Sequence, residues 1–457
     1  MQINSEIFRA YDIRGQIDKT LTTQTAFFIG RATGSYAIKS NARKIAVGRD
    51  GRLSSPILTN ALIDGLKNCG CDVVDFGMLP TPMLYSTAYL DDCQSSIMVT
   101  GSHNPPDYNG FKITIAGDSL AGNQIQDLYQ LIKVQNFVTG LGSANCADIY
   151  PAYKKYITDT ITLKRKLKVV VDCGNGVAGA FAPQIIADLG CEVIPLFCEV
   201  DGNFPNHHPD PAKIENLQDL INTVKVSGAD VGLAFDGDGD RVGVITNCGQ
   251  MIYPDVLLQL FAQDVLSRNS KAQIIFDVKC SQQVAKTIHK AGGVPIMWQT
   301  GHSLIKKKMR ETCALLGGEM SGHIFFKERW FGFDDGIYSA VRLLEILSNT
   351  DQDSTSLFAQ FYQPFSTPEI NIAVDEKQKF AIIEDLQQIT NWDNGKICVL
   401  DGIRVDYADG FGLIRASNTT PILVARFEAE TQERLEQIQH IFVTNLRKVA
   451  PQLEIFT

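Results

Sequence analysis

K-V-V-V-D-C-G, residues 168–174, is an apolar, β-branched run closed by an acidic residue and a glycine. Such a run reads as a strand buried on both faces that ends in a tight turn. A helical pattern follows as far as Leu189, then a glycine, then a second apolar run, C-E-V-I-P-L-F. The same plan stands upstream: K-I-A-V-G-R-D (44–50), a helical pattern to Lys67, then G-C-D-V-V-D-F. It stands again downstream: Q-I-I-F-D-V-K (273–279), a helical pattern to Lys290, then A-G-G-V-P-I-M-W. Each is a strand, a polar turn, a helix ended by glycine and a second buried strand, which is a βαβ unit. Recurrence at intervals of about one domain predicts three similar α/β domains rather than a solenoid.

The C-terminal part reads differently. Short strands are expected over 371–374, 397–400, 404–407, 411–416 and 422–428, with helices over 378–389 and 431–449. Neighbouring strands without intervening helices predict an α+β domain with an antiparallel sheet. The expected fold is therefore three α/β domains with mixed sheets plus this fourth domain. The boundaries are expected at 1–147, 148–250, 251–363 and 364–457, the last at Gln363-Pro364.

Bulk properties narrow the function. The chain has 457 residues, 44% of them hydrophobic, 20% charged, with a formal net charge of -9. That is an ordinary globular composition with room for several cores and a cleft between them. No basic block points to nucleic acid, and no apolar run reaches the length of a membrane span. No signal peptide is visible, and 11 cysteines without a C-x-x-C pair suggest reduced thiols in a cytoplasmic protein.

Five short loops carry chemistry. F-D-G-D-G-D-R (235–241) lies between two apolar strands and sets Asp236, Asp238 and Asp240 at alternate positions. Glycines let the three carboxylates converge, and oxygen-only ligands fit a hard cation such as Mg²⁺. A calcium EF-hand would need glycine and glutamate where Arg241 and Asn247 stand. I-M-V-T-G-S-H-N-P (97–105) ends a buried strand on Ser102, with His103 and Asn104 behind it. A turn-capping serine and a Ser-His-Asp hydrolase are its rivals. The second suffers because adjacent side chains diverge in an extended chain and no G-x-S-x-G elbow is present.

R-A-S-N-T-T-P (415–421) gathers Arg415, Ser417, Asn418 and Thr419, a donor set for a phosphate or simply a hairpin turn. G-E-M-S-G-H (318–323) offers Glu319, Ser321 and His323 to sugar hydroxyls, or is a bland surface loop. G-N-G-V-A-G (174–179), with Glu199 downstream, satisfies the dinucleotide fingerprint and keeps a nicotinamide-dependent dehydrogenase in play.

F-R-A-Y-D-I-R-G (8–15), then T-G-S-H-N-P, D-G-D-G-D-R, G-E-M-S-G-H and R-A-S-N-T-T-P, in that order along the chain, resemble the α-D-phosphohexomutase family. G-E-M-S-G-H followed by F-F-K-E-R-W-F-G-F-D-D-G looks most like its bacterial bifunctional phosphomannomutase/phosphoglucomutase branch. The resemblance implies four domains around one central cleft, each lending a loop. It implies a phosphate-carrying Ser102 that also joins the metal held by Asp236, Asp238 and Asp240. It further implies a sugar loop of Glu319, Ser321 and His323, and a distal phosphate site of Arg415, Ser417, Asn418 and Thr419. Tyr11, Arg14, His103, Asn104, Lys112, Arg241, Lys279 and His302 match other active-site positions.

The implied activity is reversible transfer of a phosphate between O1 and O6 of glucose and mannose phosphates. It would run through a phosphoserine and a hexose 1,6-bisphosphate, which doubles as activator. Lys112 and His323 are the candidates for the base. The protein is then expected to be a Mg²⁺-dependent cytoplasmic monomer. A metal-dependent sugar phosphatase and a phosphoglucosamine mutase are the alternatives.

Overall fold

The computed structural model describes residues 3–418 and 420–453. Its first three sheets repeat one topology. In the first, Lys44–Arg49 runs parallel to Asp72–Met78 on one side and to Ser96–Val99 on the other. The third of these strands then pairs antiparallel with Tyr108–Ile115. In the second sheet Lys168–Asp172 takes the central place between Glu192–Leu196 and Val231–Phe235, and the latter pairs antiparallel with Val242–Thr246. In the third, Gln273–Asp277 lies between Val294–Trp298 and Leu316–Gly318, and the latter pairs antiparallel with Ile324–Phe326. The order second–first–third–fourth is the same each time. The fourth sheet is antiparallel throughout and packs against the helix Gln432–Val449.

This repetition places the chemistry. The loop between the third and fourth strands of each unit lies where parallel pairing gives way to antiparallel. Residues 100–107 occupy it in the first unit, 236–241 in the second and 319–323 in the third. Each is short and enters from a fully buried strand, which fixes its direction. The helices of the three units stop as the sequence suggests. Gly70, Gly190 and Gly292 follow them at φ of 89°, 97° and 81°, a backbone region that glycine adopts without a Cβ clash.

One apolar core is shared by the first three units, from Met83 and Met98 through Val169 and Phe235 to Phe261 and Leu344, and the first unit has a second core around Ile29, Val47 and Phe111. The C-terminal domain has its own core around Trp392, Phe427 and Phe442. It meets the third unit through a small apolar patch, Val278 against Phe411 and Leu413, flanked by polar contacts. Arg404 Nη1 donates to the carbonyls of Val278 and Cys280 at 2.6 and 2.8 Å, and Ser281 Oγ donates to Glu428 at 2.8 Å.

The dinucleotide fingerprint folds into something else. Gly174 stands at φ 48°, but the backbone of the loop packs against the Asp-rich turn. Val177 N–H donates to the Gly237 carbonyl at 3.1 Å, and a Cβ on Gly176 would meet Gly237 at 3.0 Å. A short 3₁₀ turn, Val177–Ala180, follows in place of a helix aimed at a pyrophosphate. The glycines serve close contact between two loops, so the loop has no room for a dinucleotide.

Candidate active site

Ser102 and the three aspartates meet. Ser102 Oγ donates to Asp236 Oδ2 at 3.0 Å, and Gly237 lies so close that a Cβ there would stand 2.3 Å from the Ser102 carbonyl. Only glycine fits that approach. Asp236, Asp238 and Asp240 are fully buried, and each offers an oxygen within 4.8 Å of the others. Lys112 Nζ bridges Asp238 and Asp240 at 2.7 and 2.5 Å. Arg241 holds Asp236 through its own N–H at 3.1 Å and Nε at 3.0 Å, and Thr81 Oγ1 donates to Asp238 at 2.6 Å.

Three carboxylates and two cations leave this cluster negative. Burial pushes Asp236 up to about 7, with Arg241 opposing and the two neighbouring carboxylates reinforcing the rise. Burial also raises Asp238, yet the Lys112 charge and the hydrogen bonds from Lys112 and Thr81 outweigh it and hold it below the ordinary carboxylate range. Asp238 Oδ1 and Asp240 Oδ1 are buried without a hydrogen bond among the described residues. Unsatisfied carboxylate oxygens in a net-negative, all-oxygen set are what a hard divalent cation requires. The residues fit Mg²⁺.

Ser102 departs from expectation. Its side chain does not diverge from that of His103. The residue stands at φ 48°, in the left-handed region, and this bend brings Oγ to 3.2 Å from His103 Nδ1. Burial, followed by the charges of Arg241 and Arg14, holds His103 well below its usual value, so the imidazole beside Ser102 is neutral. The bend is enforced by Arg52, buried under the loop. Its Nη2 donates to the carbonyls of Ser102 and Asn104 at 2.7 and 2.6 Å, and its Nη1 to those of Pro105 and Tyr108 at 2.6 and 3.0 Å. Arg14 Nη1 adds a bond to Asn104 Oδ1 at 2.8 Å.

The third unit joins across a bridge between Arg241 and His323. His323 Nδ1 lies 3.6 Å from Asp240 Oδ1 and 3.1 Å from Asp334 Oδ2. Burial lowers His323, but Asp240 and Asp334 more than reverse this and raise it. Asp334 is itself shared with Lys306 at 3.1 Å and His302 at 3.8 Å. Glu319 is buried, which raises its carboxyl. Its Oε1 accepts the Gly301 N–H at 2.6 Å and its Oε2 the Ser321 hydroxyl at 3.1 Å.

In the C-terminal domain Arg415 Nε donates to Asp401 at 3.0 Å, while its Nη2 is buried without a partner among the described residues. Ser417 Oγ lies 2.8 Å from Thr420 Oγ1, and Asn418 Nδ2 donates to the Tyr11 hydroxyl. Tyr11 thus links the first domain to the fourth, and its ring is edge-on to His302 of the third. Lys279, fully buried, pairs with Glu369 at 2.6 Å. Thr419 lies outside the described residues.

The expected groups therefore fall into one metal-type cluster with Ser102, one loop around Glu319, and one donor set around Arg415. Arg52, Thr81, Lys306 and Asp334 were not singled out from the sequence. Asp334 stood in a quoted motif, but nothing local marks it as a partner of His323.

A serine set against three buried carboxylates, with further loops from two more domains, makes the fold and site those of a phosphohexomutase. The chain belongs to the phosphoglucomutase/phosphomannomutase family. Residues 5–139, 151–249 and 253–365 match its alpha/beta/alpha domains I, II and III, and 369–444 its C-terminal domain. It is 61% identical over 451 residues to a phosphomannomutase/phosphoglucomutase of Pseudomonas aeruginosa, covering 99% of this chain and 97% of that one. To a phosphoglucomutase of Neisseria gonorrhoeae it is 53% identical over 444 residues, 96% of each. The crystal structure of a family protein from Burkholderia thailandensis superposes with a TM-score of 0.95 at 50% identity, covering 99% of this chain and 100% of that one.

Proposed function

We propose that the protein interconverts the 1- and 6-phosphates of glucose and mannose, with Ser102 as the phosphate carrier. The observation that carries this reading is the buried Ser102 hydroxyl 3.0 Å from Asp236, inside the three-carboxylate cluster. Phosphoserine at this position donates its phosphoryl group to the free hydroxyl of a hexose monophosphate. The bond to Ser102 Oγ breaks, a bond to the sugar oxygen forms, and the hydroxyl proton passes to a base. Lys112 and His323, which flank the carboxylates, are the candidates for that base, and whichever serves must first give up the proton that Asp238, Asp240 or Asp334 stabilises on it. The resulting 1,6-bisphosphate turns over, and its other phosphate returns to Ser102.

Charge spreads over the equatorial oxygens of the moving group, so positioning and electrostatics dominate catalysis. Asp236, Asp238 and Asp240 would hold Mg²⁺, which when bound supplies Lewis-acid stabilisation of that charge. Arg241 and Lys112 offset the carboxylates, and neutral His103 accepts or donates beside Oγ. Glu319 and Ser321 read hydroxyls common to glucose and mannose, leaving O2, where the two sugars differ, unread. Arg415, Ser417 and Asn418, with Thr419, grip the far phosphate, and Tyr11, Arg14, Lys279 and His302 line the way between. Hexose 1,6-bisphosphate activates by restoring phosphate to Ser102.

We further take the domains as 1–147, 148–250, 251–363 and 364–457, and the protein as a cytoplasmic monomer. Its cysteines are all free, and among the described residues no helix is long and apolar enough to cross a membrane.

A coupled assay on glucose 1-phosphate, mannose 1-phosphate and glucosamine 1-phosphate, with and without Mg²⁺, tests the reading. Product 6-phosphates of the first two sugars, intact-mass phosphate on Ser102 and loss of both in Ser102→Ala are expected. Steady release of inorganic phosphate would instead establish a phosphatase, and preference for glucosamine 1-phosphate the other mutase.

A further inference from the structure

Behind the metal-type cluster lies a cavity of about 440 Å³ that neither the sugar nor its phosphates reach in the proposed reaction. It opens between the first and third domains. Its walls are aromatic: Tyr85 and Tyr89 from one side, Phe331 and Phe333 from the other. Tyr89 and Phe331 stack across the boundary with centroids 4.6 Å apart. Its charged lining groups, Lys306, Arg310 and Lys327, are cations, and two of the three are already paired with carboxylates just beyond the lining, Lys306 with Asp334 and Arg310 with Asp118. Among the described lining residues there is no carboxylate. Arg310 is tied to Asp118 at 2.7 Å, which straps the rim shut on one side. Lys327 stands 5.8 Å from the centre of the Tyr89 ring and Lys306 4.0 Å from that of Tyr85.

We propose that this cavity binds a small planar aromatic anion, an aryl carboxylate, sulfonate or phosphate, and that its occupancy lowers turnover without competing with the hexose phosphate. The apolar lining beside the Tyr89–Phe331 stack takes the ring, and Lys327, exposed and without an ion pair among the described residues, takes the charge. The route to the site is short. Lys306 Nζ lies 3.1 Å from Asp334 Oδ1, Asp334 Oδ2 lies 3.1 Å from His323 Nδ1, and His323 lies 3.6 Å from Asp240. An anion that draws Lys306 toward the cavity weakens its hold on Asp334, and Asp334 is what orients His323. The ligand also touches both domains at once, so it biases their relative placement.

The probe is 8-anilinonaphthalene-1-sulfonate, titrated into the full-length, Mg²⁺-loaded enzyme and followed by its fluorescence. Saturable binding is expected, unaffected by glucose 1,6-bisphosphate, with a fall in kcat at constant KM for glucose 1-phosphate. Lys327→Glu reverses one charge at the rim, away from the reacting groups. It should leave basal activity unchanged and weaken the probe by about tenfold or more, since each tenfold is a modest free-energy change for one charge. Ala88→Trp should fill the cavity and abolish binding. Should that variant fold poorly, Lys327→Glu decides alone.

Several outcomes overturn the proposal. They are no saturable binding, displacement of the probe by the bisphosphate, or equal affinity of the uncharged N-phenyl-1-naphthylamine. Binding to Lys327→Glu as tight as to wild type does so too, as does self-association of the enzyme through this face in place of ligand binding.

Discussion

Arg52 Nη2 donates to the main-chain carbonyl of Ser102 at 2.7 Å, and the same guanidinium reaches three further carbonyls of that loop. A left-handed serine is unfavourable by itself, and a buried fork of five donors is what holds it there. The ring of Phe204, from the second domain, lies 5.0 Å from the Arg52 guanidinium and closes the site from behind.

Arg52 is therefore expected to set rate rather than affinity. Arg52→Lys keeps the charge but cannot satisfy four carbonyls from one ammonium. A displacement of Ser102 Oγ by about 1 Å should lower kcat by roughly a hundredfold, with KM within a few-fold of wild type. Steady-state kinetics on glucose 1-phosphate checks this. A variant in which KM rises while kcat holds would place Arg52 in substrate binding instead.

The three aspartates predict a second split, between activity and stability. Fully buried like charges repel unless a cation joins them. Asp238→Asn removes one charge yet keeps an acceptor for Thr81 and Lys112. Mg²⁺ affinity, measured by isothermal titration, should fall by at least about tenfold as one charged oxygen ligand is lost. The melting temperature of the chelator-treated protein should fall modestly, because the ionised carboxylate is held by Lys112 and Thr81 below its ordinary range, while turnover falls far more. Full turnover in excess chelator would sink the metal assignment.

Much of this was legible in the sequence because its signals are local. The three strand–helix–strand runs carry their own periodicity. Alternating Gly and Asp at 236–240 announces convergent carboxylates without tertiary help. What was not legible depends on partners far along the chain. Thr81 meets Asp238 across 157 residues, and Arg52 meets Ser102 across 50. The backbone of Ser102 was misjudged for the same reason. An extended chain separates Ser102 from His103, and only the buried arginine beneath the loop reverses that. Gly174 to Gly179 left a dehydrogenase as a minor alternative, since a glycine pattern reports close approach but not what approaches.

Asp335 predicts a pH dependence of stability. It caps the helix Gly336–Ser348 through Tyr338 N–H at 2.9 Å and accepts the Tyr153 hydroxyl at 2.8 Å. Burial nevertheless pushes its carboxyl from 3.8 up to about 7. Below the unfolded value the group is protonated in both states and costs nothing. Above about 7 it is ionised in both, and the cost of burying the charge is complete. Stability should thus fall through this group as pH rises from about 4 to about 7, by on the order of 4 kcal/mol at most. Asp335→Asn keeps the cap and removes the titration. Urea midpoints at pH 5 and pH 8 should differ less in the variant than in wild type. An identical difference in both proteins would rule this group out.

Arg415 bears on how the intermediate is retained. Its Nε is committed to Asp401, but Nη2 is buried with no partner among the described residues, and a buried guanidinium N–H left so is costly unless a ligand completes it. A phosphate bound at this point would accept from Nη2 and from the Ser417 and Asn418 side chains. These donors hold a phosphate without fixing the ring attached to it, which suits a bisphosphate that must present either end to Ser102. The domain that carries them joins the rest of the chain once, near Pro364. It meets the third domain through hydrogen bonds such as Arg404 to Val278 and Ser281 to Glu428 and through a small apolar patch of Val278, Phe411 and Leu413. Loosening at so small a contact would let the sugar turn while the phosphate stays gripped. Arg415→Ala should raise KM for glucose 1-phosphate by about tenfold to a hundredfold, the worth of a charge-assisted hydrogen bond. It should also release more glucose 1,6-bisphosphate per turnover and leave Ser102 dephosphorylated. Added bisphosphate should restore part of the rate, and Arg415→Lys, which keeps the charge but not the fork, should fall between. Unchanged KM together with no bisphosphate in solution would remove Arg415 from the phosphate site.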